Sequence, residues 1–390
     1  MKLKFIVSVL ILIFFVPNMI GQQSINHGAL TDLLKKSKDS HTDGLAIIYN
    51  EEMIIESYSD ESDKLIPVYS IKKSLINLCI GKLVTDGKIK TIDTPVMNYF
   101  PEWNRPLKEK ITIRHLLSHT SGLEETSNES AYWNSPDVLE YSLSSNAKEI
   151  PGRIYQYSTK NMFILQGLIE KVSGESFESY MVKEIFKPLG IENFRWTYDA
   201  VKNPKVLSIA AGDLIKVGQL IMNRGMWIEN RLISENWITE SLKSAQSQEP
   251  ESGMLWWIIP EDKKYVVNNL VLEALEKSGV NNELVTKISS VKGVYADYRS
   301  LSMELSKVFG ADWKELFKEK IYPFTNQIYM KELSENILGY KAIGWKGQYL
   351  IIYPQKGLVA VRMIENKDSY NYDTDEWYDF EEDVFELIKR

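Results

Sequence analysis

Ser70 and Lys73 stand three residues apart in Pro67-Val68-Tyr69-Ser70-Ile71-Lys72-Lys73-Ser74-Leu75, just before an apolar run through Leu75, Ile76, Leu78, Cys79, Ile80, Leu83 and Val84. Residues at i and i+3 share a helix face, so a helix starting here sets the Lys73 amine against the Ser70 hydroxyl. A serine hydroxyl becomes a nucleophile when a neighbouring base takes its proton, and a lysine desolvated by burial is such a base. The unpaired N–H groups of the helix start aim at the same spot. The chemistry on offer is attack on a carbonyl carbon. The same spacing recurs at Ser145/Lys148 and Ser289/Lys292, where no strongly apolar helix opens. The plain alternative at Ser70 is a helix N-cap with a lysine snorkelling to water.

A second cluster is Pro151-Gly152-Arg153-Ile154-Tyr155-Gln156-Tyr157-Ser158-Thr159-Lys160-Asn161, a turn that carries tyrosines into a helix over 162–172. A phenol beside a lysine ammonium ionises more readily, which makes Tyr157 an acid/base candidate. Tyr155 reads as a core tyrosine with one hydrogen bond. His115 and His119 stand at i and i+4, a spacing that holds a metal on a helix. The other histidines, His27 and His41, lie far upstream, with no Cys partner and no adjacent Glu in the metalloprotease pattern, so structural roles are expected for both. Tyr132 and Trp133 fall either in a substrate loop or in a loop whose aromatics pack on the scaffold.

Residues 28–40 read as an amphipathic helix with Leu30, Leu33 and Leu34 on one face, followed by strands over 44–49 and 53–58 around Asn50-Glu51-Glu52. After the Ser70 helix the chain is mainly helical to Pro188-Leu189-Gly190. Residues 208–243 give two more helices around Gly225, and 254–259 a strand. Residues 344–353 and 357–364 form a hairpin around Pro354-Gln355-Lys356, and 375–388 an acidic amphipathic helix. Strands early and late with helices between them imply an α/β fold.

The 390 residues suffice for a large core, and 44% hydrophobic with 25% charged residues is an ordinary globular composition. Lys2 and Lys4 precede an apolar run over 5–16 that ends at Pro17-Asn18. This is too short to span a bilayer and suits a signal peptide over 1–21, with a retained anchor as the alternative. The mature domain is then 22–390, periplasmic or secreted, with no integral membrane span. Losing Lys2 and Lys4 and no acids moves the net charge from −7 to −9. An acidic chain without a basic tract argues against nucleic acid as partner. The single cysteine, Cys79, permits no internal disulfide and reads as a small core side chain.

Ser70-x-x-Lys73, Tyr157-Ser158-Thr159 and Trp345-Lys346-Gly347 on a late strand resemble the three active-site motifs of serine β-lactamases and penicillin-binding proteins. The nearest resemblance is to class C β-lactamase-like serine hydrolases, which include D-aminopeptidases, type VIII carboxylesterases and nylon-oligomer hydrolases. The stretches 111–123 and 151–165, with Val172-Ser173-Gly174, Pro188-Leu189-Gly190, Ala211-Gly212-Asp213-Leu214 and Gly347-Gln348-Tyr349, carry it in order. It covers roughly 28–260 and 340–390. It implies a β-lactamase/transpeptidase-like α/β fold: an antiparallel sheet flanked by helices, from about 28–75 and 200–390, with a helical part inserted at about 76–199. It also implies acyl transfer at an ester or amide: Ser70 attacks, Lys73 and Tyr157 act as base and acid, and N–H groups of Ser70 and Gln348 hold the oxyanion. No cofactor or metal is implied.

The chain departs from the pattern in three places. Thr159 stands where many relatives have asparagine, with Asn161 as a substitute two residues on. Trp345 stands where relatives offer a cation or histidine, and on strand alternation Lys346 would face the other way. An aromatic there is more like the esterase and amidase branches. The third is a segment over about 261–340 that reads as several helices, either a lid over the cleft or a surface elaboration. Thr159, Asn161, Trp345, Gly347 and Gln348 are the expected substrate and oxyanion contacts. A non-catalytic sensor or binding protein on the same fold, and an enzyme that stops at the acyl-enzyme, are the competing readings.

Overall fold

The computed structural model describes residues 25–58, 64–125, 134–198, 204–322, 324–325, 327–365 and 367–389. The expected leader over 1–21 and the positions of Tyr132 and Trp133 lie outside the described residues. Strands form at Gly44–Tyr49 (β1), Glu52–Tyr58 (β2), Ile66–Pro67 (β3), Phe194–Tyr198 (β4), Pro204–Ile209 (β5), Met226–Trp227 (β6), Asn230–Arg231 (β7) and Trp257–Pro260 (β8). They continue at Lys263–Val267 (β9), Gly293–Tyr295 (β10), Met330–Leu333 (β11), Ile337–Gly344 (β12), Gln348–Tyr353 (β13) and Leu358–Met363 (β14). One six-stranded antiparallel sheet runs β2-β1-β14-β13-β12-β8, so the two ends of the chain meet at its centre.

The period of two along a strand decides what each face meets. Leu45, Ile47 and Tyr49 of β1, Tyr349, Ile351 and Tyr353 of β13, and Leu358 and Ala360 of β14 enter one core with Leu33, Phe380 and Val384. Those three partners lie on the helices His27–Asp39 (α1) and Phe380–Glu386. The alternate residues Ala46, Ile48, Leu350, Ile352, Val359 and Val361 enter the larger core with Leu214 and Val217 of the helix Ala211–Met222 and with Leu75, Leu78 and Cys79. These last belong to the helix Ile71–Thr85 (α2), whose burial follows from its apolar run. Among the described residues no helix is long and apolar enough to cross a membrane.

Three expectations change. The inserted segment is not helical alone: β9, β10 and β11 form their own sheet in the order β10-β9-β11, and the core residues Val271, Leu275, Leu301 and Phe317 pack on Tyr265 and Val267 of that sheet. The reading missed these strands because Lys263-Lys264 and Lys331-Glu332 break the apolar signal at two of them. The closing helix is split into Tyr372–Asp375 and Phe380–Glu386, with Trp377 between them at φ 51°, a value no α-helix accommodates. And Trp345-Lys346-Gly347 is not strand but the turn between β12 and β13, with Gly344 opposite Gln348 and Lys346 and Gly347 at φ 62° and 71°. Lys346 is therefore not on the far face of a strand. It is buried, with Nζ 4.8 Å from the Trp345 ring centre and 4.5 Å from that of Tyr370.

That turn is anchored by Arg362, which is fully buried on β14. Its Nη1 donates to Gly347 O at 2.8 Å and Glu376 O at 3.3 Å, its Nε to Thr42 Oγ1 at 3.0 Å, and its Nη2 to Ser40 O at 3.1 Å and to Asp375 O. Burial draws its pKa down to about 10, so it remains charged at neutral pH. A Cβ on Gly347 would meet Nη1 at 2.2 Å, which together with the positive φ explains the glycine. Arg362→Met would strip five acceptors of their donor. We expect a loss of about 3–5 kcal/mol in urea unfolding; a loss under about 1 kcal/mol would contradict this account of the turn.

Candidate active site

Ser70 is the N-cap of α2, yet its hydroxyl makes no capping hydrogen bond. It takes one from Lys73 Nζ at 3.0 Å instead, the contact that i and i+3 on one face provide. The hydroxyl therefore does not do what the N-cap alternative requires. Among the described residues the Ser70 N–H donates to nothing, so it points out of the helix start unpaired. The residue before it, Tyr69, sits at φ 45°, a strained value for a bulky side chain. Its ring makes an edge contact with Trp345, centroids 5.3 Å apart. Behind it a Cβ on Gly344 would meet Val68 O at 2.5 Å, so β12 closes directly on the chain leading into Ser70.

The two lysines of the motif face different surroundings. Lys73 Nζ lies 4.8 Å from the centre of the Tyr157 ring. Lys72 Nζ lies 5.9 Å from the Trp196 ring, and burial, then the charge of Lys73, draws its pKa down to about 8. The other two copies of the spacing build nothing similar. Ser145 ends a helix and Lys148 pairs with Glu124, while Ser289 ends a helix and Lys292 donates to Asn269.

Tyr157 precedes the helix Thr159–Ser173, whose N-cap is Ser158: Ser158 Oγ accepts from Asn161 N–H at 3.2 Å and also contacts the Glu125 carboxyl. The Ser158 N–H donates to His119 Nδ1 at 3.1 Å, so the neutral His119 ring carries its proton on Nε2. The ring packs at 4.6 Å on Tyr157. His119 is thus a support under Tyr157. His115 closes a capping box at the start of the helix Ile113–Leu117, its Nδ1 accepting the Thr112 N–H at 3.1 Å.

The cleft is lined by Ser70, Lys73 and Ser74 of α2, by His119 and Tyr157, and by Ser252, Leu255, Trp256, Trp257 and Ile343. It brings Ser70, Lys73 and Tyr157 together. Thr159 is half-buried at the first position of its helix, and Trp345 stands half-exposed on the β12–β13 turn beside Tyr69. The Gln348 side chain is buried and exchanges hydrogen bonds with the Ile364 backbone, at 2.7 and 3.1 Å. Asn161 does not serve as the substitute amide: it is fully buried, its Oδ1 accepts from Ser121 Oγ at 2.9 Å and its Nδ2 donates to Leu116 O at 3.4 Å. Starting one turn into the helix, its side chain turns inward.

The wall formed by 252–257 was missed by sequence reasoning, and so was the residue that holds it. Asn77 Nδ2 donates to Met254 O at 2.9 Å and Ser241 Oγ at 3.0 Å, and Trp237 and Trp256 donate their indole N–H to its Oδ1 at 3.2 and 3.3 Å. Ser74 Oγ donates to Leu255 O at 2.7 Å. The available signal was the polar stripe Ser70, Lys73, Ser74 and Asn77, at i, i+3, i+4 and i+7 along a largely apolar helix. A wider surface groove of about 530 Å³ lies beside Arg114 and Lys243, away from Ser70, and Arg114 there is taken by Asp93 and Glu240.

Burial, then the charge of Lys73, depresses the His119 pKa to about 3. The unfolded chain binds this proton near pH 6.5 and the folded one does not. His119 thus costs no stability above pH 6.5, and the loss grows as pH falls from there to about 3, by up to about 1.4 kcal/mol per pH unit. His119→Asn keeps an acceptor for Ser158 and tolerates the residue's positive φ of 56°. Its unfolding free energy should fall less steeply between pH 6.5 and 5 than the wild type's; equal slopes would contradict the buried neutral imidazole.

Residues 30–381 match the family model described as Beta-lactamase. The chain is 24% identical over 272 residues to a β-lactamase of Escherichia coli (strain K12), covering 62% of this chain and 70% of that protein. It is 23% identical over 245 residues to the 6-aminohexanoate-dimer hydrolase of Paenarthrobacter ureafaciens, covering 56% of this chain and 62% of that one. Among curated relatives the matched part ranges from 26% to 70% of the relative's own length. The solved structure of a D-alanine carboxypeptidase AmpC from Burkholderia cenocepacia is similar with a TM-score of 0.58 at 15% identity, over 92% of this chain and 99% of that one. The fold is therefore β-lactamase/transpeptidase-like.

Proposed function

Given that this chain belongs to the β-lactamase family, we propose that it is a serine hydrolase that cleaves an ester or amide through an acyl-enzyme on Ser70. The observation that carries this reading is the uncapped Ser70 hydroxyl 3.0 Å from Lys73 Nζ, with the Tyr157 ring centre 4.8 Å from the same amine. Ser70 Oγ bonds to the carbonyl carbon while its proton passes to the Lys73 amine. Tyr157 shares that proton and returns it to the leaving group as the carbonyl–heteroatom bond breaks. The unpaired Ser70 N–H supports its part in holding the oxyanion, with Gln348 N–H as the partner the resemblance implies, each donor contributing about 3–4 kcal/mol to the transition state. Water then attacks the acyl-enzyme by the same proton route in reverse. The lysine-flanked apolar run over 5–16 supports export to the periplasm or beyond.

The substrate class we favour is a small ester or amide without a carboxylate beside the scissile bond. Trp345 and Tyr69 put an aromatic surface where a cation would otherwise receive an anion, and the Lys346 ammonium lies buried between the Trp345 and Tyr370 rings. A missing charge-assisted contact of about 1.4 kcal/mol is tenfold in rate.

Turnover of p-nitrophenyl butyrate should fall by about 10⁴-fold or more in Ser70→Ala and by about 10²–10⁴-fold in Tyr157→Phe. Ser70→Ala that still turns over rejects the nucleophile. In the wild type, kcat/KM for this ester should exceed that for a carboxylate-bearing β-lactam by at least about tenfold, and Trp345→Lys should narrow the gap. Equal rates on both substrates would reject the aromatic reading of the turn.

A further inference from the structure

The inserted lobe reaches the cleft through one charge cluster. Lys331 on β11 holds its Nζ 2.6 Å from Glu249 Oε1 and 2.7 Å from Glu251 Oε2, and Lys263 on β9 lies 2.9 Å from the other Glu251 oxygen. Both glutamates lie outside the lobe, in the stretch 246–252 that ends at Ser252 in the cleft wall. Gln246 shapes this stretch: its Oε1 accepts the N–H groups of Gln248 and Glu249, and its Nε2 donates to Glu249 O at 2.7 Å. Towards one wall, Ile258 N–H donates to Glu251 O at 2.8 Å and Ser252 bridges to Trp257. Towards the other, Gln248 accepts at Oε1 the N–H of Tyr155, two residues ahead of Tyr157, and donates to Arg153 O at 3.1 Å. Among its described residues the lobe itself, over 263–333, contributes nothing to the cleft lining.

We propose that Lys331 is a positioning residue for hydrolysis: by binding Glu249 and Glu251 it fixes the stretch 246–252 and, through it, both the Tyr157 wall and the Trp256–Trp257 wall. The inserted lobe then acts as a bracket behind the cleft and not as a lid over it. This rests on the reading of that cleft as the reactive centre. Lys331 is the ammonium that spans both carboxyls; without it Lys263 still holds Glu251, but Glu249 is left beside the Glu251 carboxylate in a poorly solvated site, where the two repel. Burial already holds Glu249 above its ordinary pKa in spite of Lys331. At Glu251 burial acts the same way but is outweighed by Lys331 and Lys263, which hold it below. The other titratable groups facing the cluster are the phenols of Tyr155 and Tyr329, and that of Tyr265 beside Lys263.

In Lys331→Met both carboxyls lose the ammonium that lowers their pKa. The folded cleft then favours their protonated forms, so the defect is smallest at low pH and grows as pH rises through those values. On the full chain with p-nitrophenyl butyrate, we expect kcat at pH 8 to drop by at least about tenfold, as a misplaced catalytic group does, and the gap to the wild type to shrink several-fold by pH 5.5. Lys331→Arg, which offers a bidentate fork to the same carboxyls, should restore most of it. Lys307→Met, on an exposed helix of the same lobe, should not change kcat. Hydrogen exchange should quicken in 153–157 and 246–257 of Lys331→Met. A wild-type pH profile and wild-type exchange in Lys331→Met, or a loss equal at every pH that arginine does not repair, would overturn the proposal. Should Ser70→Ala keep full turnover, the reading of the cleft falls and this role with it; if Ser70→Ala is inactive and Lys331→Met is unaffected, only the positioning role falls.

Discussion

Lys73 reaches the Ser70 hydroxyl because three residues of helix put both on one face, and the contact is useful only while the first turn of α2 stays in one place. The rest of the structure supplies that restraint. The body of α2 is buried in the larger core, which fixes its axis and rotation. Its polar stripe fixes what faces it, with Ser74 and Asn77 binding the backbone at Leu255 and Met254. The helix cannot rotate away from this arrangement without burying Asn77 unpaired, at about 1–3 kcal/mol for each lost partner.

The second restraint comes from the chain ends. Arg362 carries its charge into the core, where it is satisfied by four carbonyl oxygens and one hydroxyl from Ser40, Thr42, Gly347, Asp375 and Glu376. It therefore ties the residues just after α1 and those after β14 to the turn that carries Trp345. Tyr69, strained at positive φ beside that turn, is the place where the two restraints meet. A site assembled from α2, the start of the helix Thr159–Ser173, the 252–257 wall and the β12–β13 turn needs these distant ties, because its groups are divided among elements far apart in sequence.

The elements with a clean period were legible: the alternation in β1, β13 and β14 and the apolar run of α2 follow from one repeating constraint each. The Ser70–Lys73 geometry was legible for the same reason, since helical spacing alone produces it. What failed to show were properties of the surroundings. Asn161 looks available in sequence and is turned inward by the helix that Ser158 caps, where Ser121 and Leu116 take its amide. Trp345-Lys346-Gly347 reads as strand because its neighbours on both sides are strand; two left-handed residues make it a turn. Glu249, Glu251, Lys263 and Lys331 look like ordinary surface charges, and only the fold, which brings positions some eighty residues apart together, shows them as one cluster.

The central claim is that Ser70 is an activated nucleophile, and labelling tests it most directly. The protein would be incubated with a fluorophosphonate, its intact mass taken, and the modified peptide mapped. The account predicts a single adduct located on Ser70. An unmodified wild type, or an adduct on any other serine, would contradict it.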